Sequence, residues 1–340
     1  MTYDELLENA RKYLGPHCKG CAVCNGAACR NTMPGPGAKG TGDNAIRNYN
    51  KWRDIRINMD TLTDVRSADT SVEIFGRSFK YPIFAGPVGA VKMHYSDRYD
   101  DASYNNILVS ACAEAGIAAF TGDGTDPMVM EHACSAIKNS SGAGIPTVKP
   151  WNMETIKEKL ALVRSSKAFA CAMDIDGAGL PFLKNMDPPA GNKSTDELRA
   201  IAEEAGVPFI VKGIMTVKGA VKAVEAGASG IIVSNHGGRV LDQCPATAEV
   251  LAEIADAVRG KITIFVDGGI RSGTDVFKAL AMGADAVVIA RPYVTAVYGG
   301  DAEGVRLYTE KIGEELRDAM LMCGAASIKD IDRSMVRLPR

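Results

Sequence analysis

One alternation constrains this chain more than any other feature: from residue 81 onward, short apolar runs take turns with longer amphipathic ones. The apolar runs are "YPIFAG" (81–86), "GIAAFTG" (116–122), "IPTVKP" (145–150), "AFACAMD" (168–174), "PFIVKG" (208–213), "GIIVSN" (230–235), "ITIFVDG" (262–268) and "DAVVIAR" (285–291). Between them lie segments such as "METIKEKLALVRS" and "TDELRAIAEEA", with apolar positions at helical spacing. Eight β-like runs, each followed by a helix-like run, are what a (β/α)8 barrel requires. A doubly wound open sheet rarely needs eight units in strict alternation. The expected fold class is therefore α/β, a (β/α)8 TIM barrel over residues 81–340. Residues 1–80 fall outside the pattern, as an N-terminal extension with a first helix, a cysteine cluster, the Gly/Pro-rich stretch "MPGPGAKGTGD" and a candidate hairpin at "SVEIFGRSFKYPI".

In such a barrel chemistry gathers at the carboxyl ends of the strands. Read in order, those ends are Gly86-Pro87-Val88, Thr121-Gly122-Asp123, Lys149-Pro150-Trp151, Asp174, Lys212, and Ser234-Asn235-His236 with Arg239. The last two are Asp267-Gly268-Gly269 with Arg271, and Ala290-Arg291. A single ionisable residue at a strand end is ordinarily a solvated or capping group; a ring of them on one face is not. The seventh and eighth ends form the usual phosphate site of this architecture. There Gly268 and Gly269 let backbone N–H groups approach an anion, and Ser272 or Gly273 opens a helix whose dipole faces it. Arg271 and Arg291 supply charge-assisted bonds. The long connection at 175–195 follows the fourth strand, has no helical period, and is expected to be a lid or binding loop.

The stretch "VKGIMTVKGAVKAVEAGASGIIVSNHGGRVLDQCPAT", followed by "IFVDGGIRSGTDVFKALAMGADAVVIARP", resembles the FMN-dependent 2-hydroxy acid oxidase and dehydrogenase family, which includes glycolate oxidase, lactate oxidase and mandelate dehydrogenase. The resemblance is close over residues 208–330 and looser from 81. It implies an FMN cofactor and oxidation of a lactate- or glycolate-like 2-hydroxy acid to the 2-oxo acid. It also implies roles. His236 is the acid/base, Arg239 clamps the substrate carboxylate, Asp174 pairs with the imidazolium, and Lys212 stabilises the reduced flavin. Gly86-Pro87-Val88 runs along the flavin face, Ser234 contacts the flavin, and a homo-oligomer, tetramer or larger, is the family habit.

The family pattern breaks around the substrate. Trp151 stands for the tyrosine after strand three, Lys149 for a flavin-binding glutamine, and Asp123 for an aromatic after strand two. No basic residue follows Asp174 before Lys184, and "MPGPGAKGTGD" replaces the N-terminal tyrosine motif. Asp123 and Trp151 are thus expected to line the substrate pocket with Arg239. Two other readings stay open: an FMN barrel with a different reaction (isomerase or reductase), and a flavin and iron–sulfur electron-transfer or redox-sensing protein.

Cys18, Cys21, Cys24 and Cys29 have the spacing C-x2-C-x2-C-x4-C. That run points to a [4Fe–4S] cluster ahead of zinc, whose sites more often use separated pairs, with unligated or redox-active thiols as the remaining reading. An iron–sulfur centre would suit a dehydrogenase feeding a protein electron acceptor. His17 abuts the cysteines as a spare ligand, while His94 and His132 read as surface or core. The other five cysteines are scattered, and an odd total of nine argues against a disulfide framework. With 39 basic and 41 acidic residues well mixed, the chain gives no electrostatic reason to expect nucleic acid or an anionic membrane. No apolar run approaches membrane-spanning length, the N-terminus reads as an amphipathic helix, and a cytoplasmic location is expected.

Overall fold

The computed structural model describes residues 1–187 and 190–339, with the side chain of Lys184 left aside. Pro188 and Pro189, inside the long connection noted above, lie outside the described residues, as does Arg340. Eight parallel strands close into a barrel in sequence order. They are β1 (Ile83–Ala85), β2 (Ala118–Thr121), β3 (Gly144–Val148), β4 (Cys171–Asp174), β5 (Phe209–Ile214), β6 (Gly230–Val233), β7 (Thr263–Val266) and β8 (Ala286–Ile289). Each expected apolar run supplies one of them. Because the strands are buried on both faces, they read as continuous apolar runs rather than as alternation.

The period of two nevertheless decides what points inward. Phe84, Phe120, Ile145, Ala172, Ile210, Ile232, Phe265 and Val288 fill the barrel interior as one cluster. Phe84, Phe120 and Phe265 meet edge to face there, with ring centroids 5.3 to 6.0 Å apart. Two or four residues further along the same strands stand Lys149, Asp174, Lys212, Ser234 and Asp267. The pleat that buries the aromatic layer therefore carries these polar residues to the layer above it.

The expected hairpin forms from Val72–Ile74 and Arg77–Phe79, paired antiparallel. Its two-residue turn, Phe75-Gly76, has φ of 50° and 74°, the left-handed pair that matches strand twist. Phe79 packs on Phe84 at 4.9 Å and Phe75 on Phe265 at 6.3 Å, so the hairpin plugs the amino-terminal floor of the barrel.

The rest of the extension is bound into the barrel. The helix Tyr3–Tyr13 begins in a capping box between Thr2 and Glu5 and buries Leu6, Leu7 and Ala10. It lies against the final helix Arg291–Met322, where Gly299 leaves room for the Leu6 carbonyl. The helix Asp43–Asp54 sends the Trp52 indole N–H to the Gly268 carbonyl at 2.7 Å. Arg56–Ile57 pairs antiparallel with Val336–Arg337. Leu6, Ala10, Trp52 and Ile55 belong to the same apolar core as the strands. None of the described helices is long and apolar enough to cross a membrane.

Candidate active site

A cavity of about 560 Å³ opens at the carboxyl ends of the strands, within the size range of cofactor and ligand pockets. Pro87, Val88, Asp123, Lys149, Lys212, His236, Arg239, Asp267, Gly268, Gly269, Arg271, Ala290 and Arg291 all border it. These strand ends, far apart in sequence, meet at one mouth.

His236 sits where β6 leaves the barrel. Its φ is 57°, and Gly237 and Gly238 follow at 62° and 80°. Three left-handed residues in succession turn the chain sharply, and the last tolerates no side chain, because a Cβ on Gly238 would lie 2.5 Å from that of Asn44. The His236 N–H is fixed by the Ser234 hydroxyl at 3.1 Å. Its ring Nδ1 lies 3.0 Å from an Asp176 carboxylate oxygen, and Nε2 lies 3.9 Å from Asp174. The expected partner, Asp174, thus lies at ion-pair distance, while the ring's hydrogen bond is to Asp176, which the sequence did not single out. Asp174 also takes a 2.5 Å bond from the Lys149 ammonium. The space for Asp176 comes from β5, where the register shifts at Gly213 and a Cβ would stand 2.6 Å from Asp176.

Burial, with Lys212 beside it, pulls the His236 pKa below its ordinary value although Asp176 pushes the other way. Burial raises Asp176, but the charges of His236, Lys212 and Lys149 outweigh that and hold it low. Burial disfavours the Lys212 ammonium, yet Asp176, Asp267 and Asp174 together keep its pKa raised. Asp174, Asp176 and His236 could in principle bracket a cation. With Lys149 bonded to Asp174 and Lys212 facing the carboxylates, they form a charge-balanced array for holding and moving a proton instead.

Arg239 is half-buried, and one of its nitrogens is anchored on the Gly37 carbonyl at 3.1 Å and on the Gly35 carbonyl at 2.5 Å. The Gly/Pro stretch that replaces the family's tyrosine motif therefore forms one wall of the cavity, through Met33, Pro34, Gly35 and Pro36.

One of the two sequence expectations for the substrate pocket needs correction. Asp123 does border the cavity, with its carboxylate fully paired. Lys159 pairs with it at 2.7 Å, and the Trp151 indole and the Lys149 N–H both donate to its other oxygen. Trp151 consequently turns toward Asp123 and is absent from the cavity lining among the described residues. Lys149, given above as a flavin contact, borders the cavity while committed to Asp174.

Two lining residues carried no sequence signal. His94 ends the short helix Val91–His94, with Tyr95 next to it. The Gly35 N–H donates to His94 Nδ1 at 2.9 Å, which fixes the hydrogen on Nε2. Burial, helped by the charge of Arg239, pushes the His94 pKa down to about 4, so the ring stays neutral.

The phosphate end differs in detail from expectation. The helix Gly273–Ala281 starts at Ser272 as anticipated, but its first N–H is taken by Glu315 at 2.8 Å, so that helix end is already neutralised. What remains for an anion suits one better. The Gly268 and Gly269 N–H groups find no acceptor among the described residues. Arg291 Nη1 is buried and unpartnered, as are Asp267 Oδ1 and Thr121 Oγ1. Ser234 donates to Asp267 at 2.9 Å and lies behind the cavity wall. A guanidinium with one buried, unpartnered nitrogen, lining the same cavity as two N–H groups without acceptors, fits a phosphate, and the residues present thus fit FMN.

The four clustered cysteines are all unpaired and half-buried. Burial pushes Cys18 up to about 11, whereas burial of Cys24 is outweighed by Arg271 and Arg291, which hold its thiol low. Arg271 donates to the Cys24 carbonyl at 2.8 Å and stands 3.7 Å from its sulfur.

The description "FMN-dependent dehydrogenase" matches residues 35–181 and 183–338. The chain is 33% identical to a peroxisomal (S)-2-hydroxyacid oxidase of Arabidopsis thaliana, over 85% of this chain and 87% of that one. It is 30% identical to an L-lactate oxidase of Lactobacillus jensenii, over 82% and 74%. Among solved structures, a mandelate oxidase with 2-hydroxy-phenylacetamide superposes with a TM-score of 0.80 at 26% identity, covering 100% of this chain and 99% of that chain.

Proposed function

This chain belongs to the FMN-dependent dehydrogenase family, and from that premise we propose that it oxidises a small 2-hydroxy acid to the 2-oxo acid. The observation that carries the reading is the meeting of His236 and Arg239 at one cavity whose far end suits a phosphate. FMN, held through Gly268, Gly269, Arg271 and Arg291 and flanked by Gly86-Pro87-Val88 and Lys212, supplies the two-electron acceptor. The chain's own residues do the rest. Arg239 binds the substrate carboxylate with the nitrogens its carbonyl anchors leave free. His94 and Tyr95 line the same space and take the place of the missing tyrosine and second arginine. His236, neutral at pH 7 because its pKa is lowered, accepts the hydroxyl proton while Asp176 on Nδ1 holds the ring and stabilises the imidazolium.

We also take Cys18, Cys21, Cys24 and Cys29 as a [4Fe–4S] site in preference to zinc, with electrons leaving to a protein acceptor. Nine cysteines without a disulfide among them support a reducing compartment such as the cytoplasm. A homo-oligomer follows from the family resemblance alone and is read by sedimentation.

Anaerobic titration with a panel of 2-hydroxy acids tests the function. One of them should bleach the flavin, and His236→Gln should keep the yellow colour while losing that bleaching by 10³-fold or so, the scale of a lost general base. A variant bleached as fast as the parent removes the role from His236. Failure of every hydroxy acid, alongside rapid reduction by a ferredoxin-type donor, favours an electron-transfer protein instead.

A further inference from the structure

Residues 14–42 run without a helix or a strand, yet they wall the active-site cavity and anchor Arg239. Ordering such a stretch costs on the order of 1–2 kcal/mol per residue in backbone entropy. Apolar burial offers little in return, since Pro36 and Ala38 are its buried apolar side chains and Leu14, Cys18 and Met33 are only partly buried against the core. What the segment buries is glycine backbone. A Cβ at Gly37 would stand 1.9 Å from the Cys29 carbonyl oxygen, and one at Gly26 would stand 2.6 Å from that of Ala45. A loop this tightly wound, with no core of its own, needs a cross-link, and its four thiols are the groups that could make one.

The spacing of those thiols bears on what they hold. The C-x2-C-x2-C-x4-C run, with its closely spaced cysteines, suits a cluster better than a single zinc, whose ligands more often come as separated pairs. The charge also fits. A [4Fe–4S] centre with four thiolates is anionic, and the Arg271 guanidinium lies 3.7 Å from the Cys24 sulfur while holding the Cys24 carbonyl at 2.8 Å.

We propose that Cys18, Cys21, Cys24 and Cys29 ligate a [4Fe–4S] cluster built against the flavin-phosphate niche, with Arg271 serving both. This rests on the FMN reading for the identity of the niche, though not for the cluster itself. Its consequence is linkage: assembling the cluster orders the loop, sets Arg271, and so tightens retention of FMN.

Protein purified without oxygen should contain about four iron and four acid-labile sulfide per chain, with a broad absorption that dithionite bleaches. Cys21→Ala should lose that iron and sulfide and bind FMN at least 10-fold more weakly. Cys112→Ala, a buried thiol remote from the cluster spacing, should change neither. One zinc per chain without sulfide overturns the proposal, as does metal-free wild-type protein whose loop resists proteolysis as well as iron-loaded protein does. The two readings fail separately. A flavin bleached by a hydroxy acid in protein free of iron and sulfide sinks the cluster and leaves the function standing. Iron and sulfide in protein that takes up no FMN does the reverse. Full iron with FMN affinity unchanged in Cys21→Ala overturns the linkage.

Discussion

His94 shows how a backbone contact selects a side chain's chemistry. Because the Gly35 N–H occupies Nδ1, the other nitrogen carries the hydrogen and offers a neutral donor beside Arg239. His94→Phe should raise KM about 10-fold or more with little change in kcat, since a buried hydrogen bond to a charged group contributes about 1.5–3 kcal/mol. His94→Gln, which keeps a donor, should recover part of that loss. The same burial has a stability signature. A histidine with a folded pKa of about 4 against an ordinary 6.5 binds its proton less readily folded than unfolded. Its contribution is therefore fully present above pH 6.5 and lost as pH falls from 6.5 toward 4. Melting temperature measured across that window should fall less steeply in His94→Phe. At Asp176 the sign is set by the imidazole 3.0 Å away. Asp176→Asn removes the anion that favours the imidazolium, so kcat should drop 10²-fold or more and the acid limb of kcat/KM should move to lower pH.

Among the elements, β5 carries the site's least obvious device. Gly213 has φ of 103° and marks the register shift that separates Lys212 from Ile214. Gly213→Ala would set a methyl against Asp176 in a conformation that L side chains rarely adopt. It should cost about 1–3 kcal/mol in denaturant unfolding, and also depress kcat as Asp176→Asn does, because it displaces the same carboxylate. The strands themselves were legible, since buried parallel strands must be apolar and their ends must be polar in an enzyme barrel. The near-neighbour choice between Asp174 and Asp176 was not. Both lie at the β4 end, and only the bulge on β5 decides which hydrogen-bonds to His236. The pairing of Asp123 was hidden in the sequence for a related reason. Its partner Lys159 comes from the helix Met153–Ser165, and no local pattern announces that pairing. His94 was missed because its partner, the Gly35 N–H, lies in the extension.

At the scale of the molecule, the extension that looked like an appendage in sequence is structural to the barrel. Its strand Arg56–Ile57 ties to Val336–Arg337 near the other end of the chain, its helices share the core, and its loop walls the cavity. The hairpin that stops the barrel floor has a kinetic consequence. With Phe75 and Phe79 sealing that end, reactant and product must share one doorway at the mouth, and neither can pass while the other is seated. Added 2-oxo acid should therefore slow turnover by competing with the hydroxy acid, raising its apparent KM and leaving the saturated rate untouched, which initial-rate measurements at several product concentrations will read directly.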